Sequence, residues 1–250
     1  MGESECNRGN ITPVLFCTCN RNGSAFHCIM KCMEIRDFGV VHGVAVPKVD
    51  DEVRSADSSK PDSGAFANPN VNVREMALRP GMKVADFGAG SGAYALAMAR
   101  IVGESGRVYA VDVQKDMLLK IKNEARAEGL GNVDIIWGDM DRKGGTKVAD
   151  RALDMVLLSN TLFQLEEKQT AFEEAKRTLK PDGTLVVIDW QESYGGMGPR
   201  SEDVVSIEKA RVLANAAGFS PVREFPAGLH HYGIVFRRLS GPSSHGDGDN

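Results

Sequence analysis

From Ala65 to Leu239 the chain alternates between two apolar patterns. Val84–Phe87, Val108–Val113, Val133–Trp137, Leu153–Leu158 and Thr184–Asp189 are short runs, largely apolar along their length. Such runs suit strands buried on both faces. Between them lie stretches with helical spacing. Ala93–Val102 is alanine-rich, and Asp116–Glu128 sets Met117, Leu118, Ile121 and Ala125 on one face. Glu167–Leu179 turns Ala171, Phe172, Ala175 and Leu179 inward, and Glu202–Ala217 makes a fourth helix. Gly129 and Gly218 stand where a helix closes, and Pro181 stops the third helix. Two last strands, Pro221–Phe225 and Tyr232–Arg238, flank a short turn at Ala227-Gly228, which forces them antiparallel. The expected fold is α/β: a doubly wound, seven-stranded, mostly parallel sheet ending in an antiparallel hairpin.

Composition narrows the setting. The chain has 250 residues, 42% hydrophobic and 26% charged, with a formal net charge of −4. These are globular values, which exclude a disordered or collagen-like chain. The mild acidity argues against a protein that coats nucleic acid. No apolar run approaches the roughly 18 residues of a membrane span, so a cytoplasmic, soluble protein is expected.

All five cysteines fall at Cys6, Cys17, Cys19, Cys28 and Cys32. The rest of the chain therefore has no cysteine nucleophile, thiolate metal site or disulfide. Together with His27, these cysteines have residue types that bind zinc, but their spacings match no zinc module. The expected organisation is a poorly ordered extension and linker over 1–64, one folded domain over 65–239 and a loose tail over 240–250. No metal is expected. Val49 to Gly64 reads as the linker, and Ala67-Asn68-Pro69-Asn70 as its end.

The chemistry concentrates in Val84-Ala85-Asp86-Phe87-Gly88-Ala89-Gly90-Ser91-Gly92, where a strand turns into a helix. Glycines there let the backbone approach a ligand closely. The spacing is Gly-x-Gly-x-Gly, whereas the dinucleotide pattern is Gly-x-Gly-x-x-Gly. Asp112 ends the next strand, where a carboxylate can accept both ribose hydroxyls. Gly138-Asp139 follows the third strand, where a carboxylate can meet an exocyclic adenine amine. Asp86 can reach a ligand's amino group.

These residues, with Leu179-Lys180-Pro181-Asp182-Gly183 before the fifth strand, resemble a class I S-adenosylmethionine-dependent methyltransferase. The resemblance runs from Pro80 to Arg238. Its style is that of the ubiquinone and menaquinone C-methyltransferases, and of the arsenite methyltransferases without their catalytic cysteines. It implies a cofactor, S-adenosylmethionine, lying over the C-terminal ends of strands one to four. Gly88, Gly90 and Gly92 then line that cofactor, Asp112 holds its ribose, and Asp139 with Met140 flanks its adenine. Asp86, Ala89, Val113 and Ser159 complete the expected cofactor set.

Methyl transfer from a sulfonium is an in-line displacement, and a base is needed only if the acceptor must lose a proton. The sixth strand ends at the cofactor edge, which brings His230 and His231 toward the mouth of the site. Either could take a proton, or both could be solvated in a surface turn. Ser159 and Asn160 end the fourth strand, and Asn160 is a candidate catalytic contact. Asp189 ends the fifth strand, with Trp190 and Glu192 beyond it, and is either a catalytic group or a structural cap. Tyr94 opens the first helix and either meets the cofactor or packs. Gly195-Gly196-Met197-Gly198-Pro199 reads as a lid or as a flexible connection.

The fourth strand ends Leu158-Ser159-Asn160-Thr161, without the Asn/Asp-Pro-Pro-Tyr/Phe signature of amino-methylating DNA and glutamine methyltransferases. A small-molecule acceptor is favoured over nucleic acid. The rival readings are an RNA or protein methyltransferase, a non-catalytic S-adenosylmethionine-binding protein of the same fold and, with the wrong glycine spacing, a nicotinamide-dependent oxidoreductase.

Overall fold

The computed structural model describes residues 67–194, 196 and 198–239. The cysteine segment, its zinc alternative, the linker and the tail lie outside the described residues, as do two positions of the glycine-rich stretch Gly195–Pro199.

Seven strands form one sheet in the order β3-β2-β1-β4-β5-β7-β6. They are β1 (Lys83–Phe87), β2 (Arg107–Asp112), β3 (Val133–Trp137), β4 (Leu153–Ser159), β5 (Leu179–Trp190), β6 (Phe219–Gly228) and β7 (His231–Arg238). The first five pair in parallel, while β7 is antiparallel to both β5 and β6. Helices α2 (Ala93–Val102) and α3 (Lys115–Ala127) cover one face, and α4 (Lys168–Thr178) and α5 (Ile207–Ala216) the other. Each face has its own core: Met98, Leu118 and Ile121 pack on one, Phe172, Ala175 and Ala214 on the other. Strand order reverses between β1 and β4, and such a switch point leaves a crevice at the C-terminal ends of the strands.

The helix ends follow their local chemistry. Gly129, at φ 72°, closes α3 with its N–H on Arg126 O while Leu130 N–H reaches Ala125 O, a Schellman arrangement. Gly218, at φ 85°, closes α5 the same way on Asn215 O.

Four boundaries differ from the sequence reading. α4 ends at Thr178, before Pro181, because Leu179 already has extended backbone and pairs with Leu153. The next pair in that ladder is Met155 with Thr184, so Lys180–Gly183 loops out of β5, with Asp182 left-handed at φ 56°. α5 starts at Ile207 because the Ser206 hydroxyl caps it, accepting the Lys209 N–H at 3.3 Å. The hairpin turn sits at Leu229-His230, since Gly228 still pairs with His231.

The fourth difference is Ala67-Asn68-Pro69-Asn70, which begins structure instead of ending a linker. Asn68 caps the short helix α1 (Pro69–Asn72), its side chain accepting the Asn70 N–H, and Pro69 occupies the first turn. A 3-10 turn over Val73–Met76 continues it. Asn72 is buried, and its Nδ2 donates to the Tyr94 hydroxyl and to Ala227 O, both at 2.9 Å. One amide therefore joins α1, α2 and β6. Asn72→Ala leaves both acceptors buried without it. It should cost about 2–3 kcal/mol of stability in denaturant unfolding, and a cost below about 0.5 kcal/mol would show that this junction is unimportant.

Candidate cofactor and active site

A cavity of about 600 Å³ lies at the switch point, walled by the turn after β1, the ends of β2 and β4 and the loop after β3. It includes Asp86, Gly88, Ala89, Gly90, Asp112, Val113, Asp139, Met140, Ser159 and Asn160 from the expected set. Ala67 and Pro69 close one side.

The turn after β1 is hung on β2: Gly88 N–H and Ala89 N–H both bond Val111 O, at 2.8 and 3.0 Å. Asp112 completes this, its two oxygens accepting the N–H groups of Gly90 and Gln114, each at 2.8 Å. The three glycines differ in task. All have positive φ, but a Cβ on Gly88 would stand 2.3 Å from the Thr161 methyl, and one on Gly92 2.5 Å from Ile121 Cγ1. A Cβ on Gly90 would meet only Gly88 O, at 4.0 Å. Gly90 thus faces open cavity, Gly88 lets β4 and Met140 close over the turn, and Gly92, outside the cavity walls, admits α3 against α2.

The carboxylates are unequal. Burial pushes Asp86 up to about 7, the Ala95 N–H pulls it back and the neighbouring Asp112 charge raises it again. In the loop after β3, Asp139 accepts the Asp141 N–H at 3.0 Å and pairs with Arg142 at 3.1 Å. Asp141 accepts the Glu166 N–H with one oxygen, and its other oxygen is buried without a protein partner among the described residues. Asn160 Oδ1 and Thr161 Oγ1 are in the same condition, and Asn160 holds a left-handed backbone at φ 53°. Buried polar atoms without partners at one cavity suit a polar ligand. Tyr94, pushed to about 12 by burial, turns its hydroxyl toward Ser159 as well as Asn72.

A family model described as a methyltransferase domain matches residues 78–221. The chain belongs to the class I S-adenosylmethionine-dependent methyltransferases. A ubiquinone/menaquinone biosynthesis C-methyltransferase of Shewanella pealeana is 28% identical over 137 residues, 54% of this chain and 53% of that protein. An arsenite methyltransferase of Halobacterium salinarum is 28% identical over 63% of this chain and 38% of its own length. The chain thus spans about half the length, or less, of these curated relatives. The crystal structure of a SAM-dependent methyltransferase from Aquifex aeolicus superposes with a TM-score of 0.64 at 29% identity, covering 72% of this chain and 94% of that one. The methyl donor of the family is S-adenosylmethionine. The open face of Gly90, the carboxylate pair and the unpartnered polar atoms of this methyltransferase fit that cationic, polar molecule.

Of the four candidate catalytic residues, Asn160 alone lines the cavity. Asp189 is fully buried and its oxygens accept the Leu162 and Trp190 N–H groups at 2.9 and 2.8 Å, so it clamps the chain leaving β4. Burial lifts it to about 6. His231 is buried at the start of β7, 4.2 Å from the Trp190 ring. Burial, then the His230 charge, lower it to about 4, which makes it a weak base. His230 meets Glu192 Oε1 at 2.7 Å and stacks on Tyr194 at 3.8 Å. Neither histidine lines this cavity: His231 begins β7, and β5 lies between β7 and β4. Asn72, Asp141 and Thr161 were not read from the sequence. Asp141 alone carried a signal, as a second acid two places after Asp139.

Two outcomes follow for this methyltransferase. Gly92→Ala should lower Tm by several degrees, whereas Gly90→Ala, which adds left-handed backbone strain but no clash, should lower it by less yet weaken donor binding at least roughly tenfold; equal behaviour in thermal melts and titrations would refute the division of tasks. The raised Asp86 pKa means that its proton stabilises the folded protein fully below about 4 and that this is lost as pH climbs to about 7. Asp86→Asn should therefore raise the ligand-free Tm at pH 8, with the gain shrinking toward pH 5, and a pH-independent difference would contradict it.

Proposed function

We propose that this protein transfers a methyl group from S-adenosylmethionine to a small-molecule acceptor by in-line displacement. The observation that carries the reading is the turn at Gly90, open to the cavity and fixed by Asp112. The donor, when bound, supplies an electrophilic methyl group. Asp112 retains lone pairs for the ribose hydroxyls while holding Gly90 and Gln114. Asp86 loses its proton to balance the ligand's ammonium group. Asp139 and Met140 wall the adenine end. Ser159, Asn160 and Thr161, at the end of β4, offer polar atoms where donor and acceptor meet, and Asn160 orients the acceptor. Catalysis here is chiefly positioning.

The small-molecule class rests on the relatives, whose names give quinone biosynthesis and arsenite as their business. A cytoplasmic setting is part of the same proposal; no helix among the described residues is long and apolar enough to cross a membrane. The single folded domain over 65–239 is part of it too.

Calorimetric titration of the full chain with S-adenosylmethionine, with NADH as control, tests this. Binding of the sulfonium and not of NADH is expected, and Asp112→Ala should weaken it beyond roughly a hundredfold, because a charged acceptor to two hydroxyls is lost. Wild-type affinity in that folded variant, or preference for NADH, would sink the reading.

A further inference from the structure

An ion pair on α4, buried Glu174 with partly exposed Arg177, lies outside the cavity and has no part in the chemistry above. Glu174 is 1% exposed. It accepts the Gly144 N–H at 2.9 Å, the Thr146 N–H at 3.3 Å and the Thr146 hydroxyl at 2.6 Å. Arg177 adds Nε and Nη2 at 2.9 and 2.7 Å, and itself reaches Val148 O at 2.8 Å and Asp150. Burial pushes the Glu174 pKa up, but the bonds from Arg177, Thr146 and Gly144 together bring it below its ordinary value, so the group stays ionised. A charge this buried is costly to break by removing one partner.

What these bonds grip is the back of the loop after β3. Its front carries Asp139, Met140 and Asp141. Front and back touch directly: Asp139 N–H bonds Gly145 O at 2.9 Å. A Cβ on Gly145 would stand 2.2 Å from Asp139 O, and one on Gly138 2.8 Å from Gly145 O. There is no slack between the anchored residues and the cavity wall. The wall in turn meets the glycine turn, since Met140 Cε lies 2.8 Å from where a Gly88 Cβ would be. A shift of Gly144–Thr146 therefore moves the surface that faces the adenine end of the site.

We propose that Glu174, held by Arg177, is a positioning residue for the adenine end of the donor site: it touches no ligand but sets the place of Asp139, Met140 and Asp141. This rests on the reading that the cavity takes S-adenosylmethionine.

The test uses the full chain and two probes, S-adenosylhomocysteine and S-inosylhomocysteine, which differ only at the purine. The wild type should prefer the adenine form. Glu174→Gln should bind S-adenosylhomocysteine roughly tenfold more weakly and lose most of that preference, while Glu174→Asp recovers part of both. The double variant Glu174→Met with Arg177→Met removes both charges and leaves the Gly144 and Thr146 donors without their acceptor. It should lower Tm while remaining folded at the titration temperature, and lose the preference. A purely structural role would lower Tm and leave the preference of the folded protein unchanged, and that result overturns the proposal. A wild type that binds neither probe overturns the donor reading and this inference together, whereas a binding wild type with unaltered variants overturns this inference alone.

Discussion

The carboxylate of Asp112 joins two strands at the point where they separate. One oxygen holds Gly90, in the turn after β1, and the other holds Gln114, ahead of α3. Without that pair of bonds the Gly88–Gly92 turn would keep its two bonds to Val111 O and its internal Gly92 N–H bond to Ala89 O, but Gly90 would lose its tie to β2. A backbone turn that must stand bare toward a ligand has few side chains of its own to brace it, so the bracing comes from the neighbouring strand. The same carboxylate is left with lone pairs toward the cavity. Scaffold and ligand site thus share one group, and losing it affects both.

A second consequence is electrostatic. Asp86 lies buried beside Asp112: burial, offset in part by the Ala95 N–H and added to by the Asp112 charge, raises its pKa to about 7. Asp189 is raised too, yet its situation differs. Asp189 faces backbone donors that are satisfied within the fold. Asp86 faces a cavity. The Ala95 N–H stabilises its charge in part, and a cation in the cavity would stabilise it further, which matches the charge of a sulfonium carrying an ammonium group. The raised pKa alone would not separate the two residues, since strained acids occur in clamps as well as sites. What each oxygen touches separates them.

The sheet was legible in the chain because a strand buried on both faces has to be apolar along its covered length, as Met155–Leu158 is. Helix ends at Gly129 and Gly218 were legible because only a left-handed residue closes them cheaply. The start of α5 was not, since Glu202 and Asp203 fit a helix by propensity but are drawn into a turn by Arg200. The small helix at Pro69–Asn72 was invisible to periodicity: four residues make no pattern, and its anchor, Asn72, is a lone buried amide satisfied from distant segments. That the residues after β1, β2, β3 and β4 share one cavity was readable because they follow strand ends in a fixed order. The distance of the two histidines from that cavity was not, because topology names an edge of the sheet and not a distance along it.

That distance decides what the histidines can do. Asn160 N–H bonds Ile188 O, which ties the end of β4 to β5, and Trp190 of β5 pairs with His231 of β7. The hairpin inserts β7 between β5 and β6, so His230 and His231 stand two strand spacings from β4, about 10 Å across the sheet. A methyl group transferred at the end of β4 is too far from either ring for direct proton transfer to a compact acceptor, because such transfer needs contact at about 3 Å. An acceptor long enough to span two strands would reach His230 and its Glu192 partner with its far end, as a grip and not as the reacting atom. Ser159, Asn160 and Thr161 at the end of β4 are not bases near neutral pH, and the carboxylates that share the cavity with them are Asp86, Asp112, Asp139 and Asp141. A proton leaving a compact acceptor at the end of β4 would therefore go to one of those carboxylates or to water, and not to a histidine.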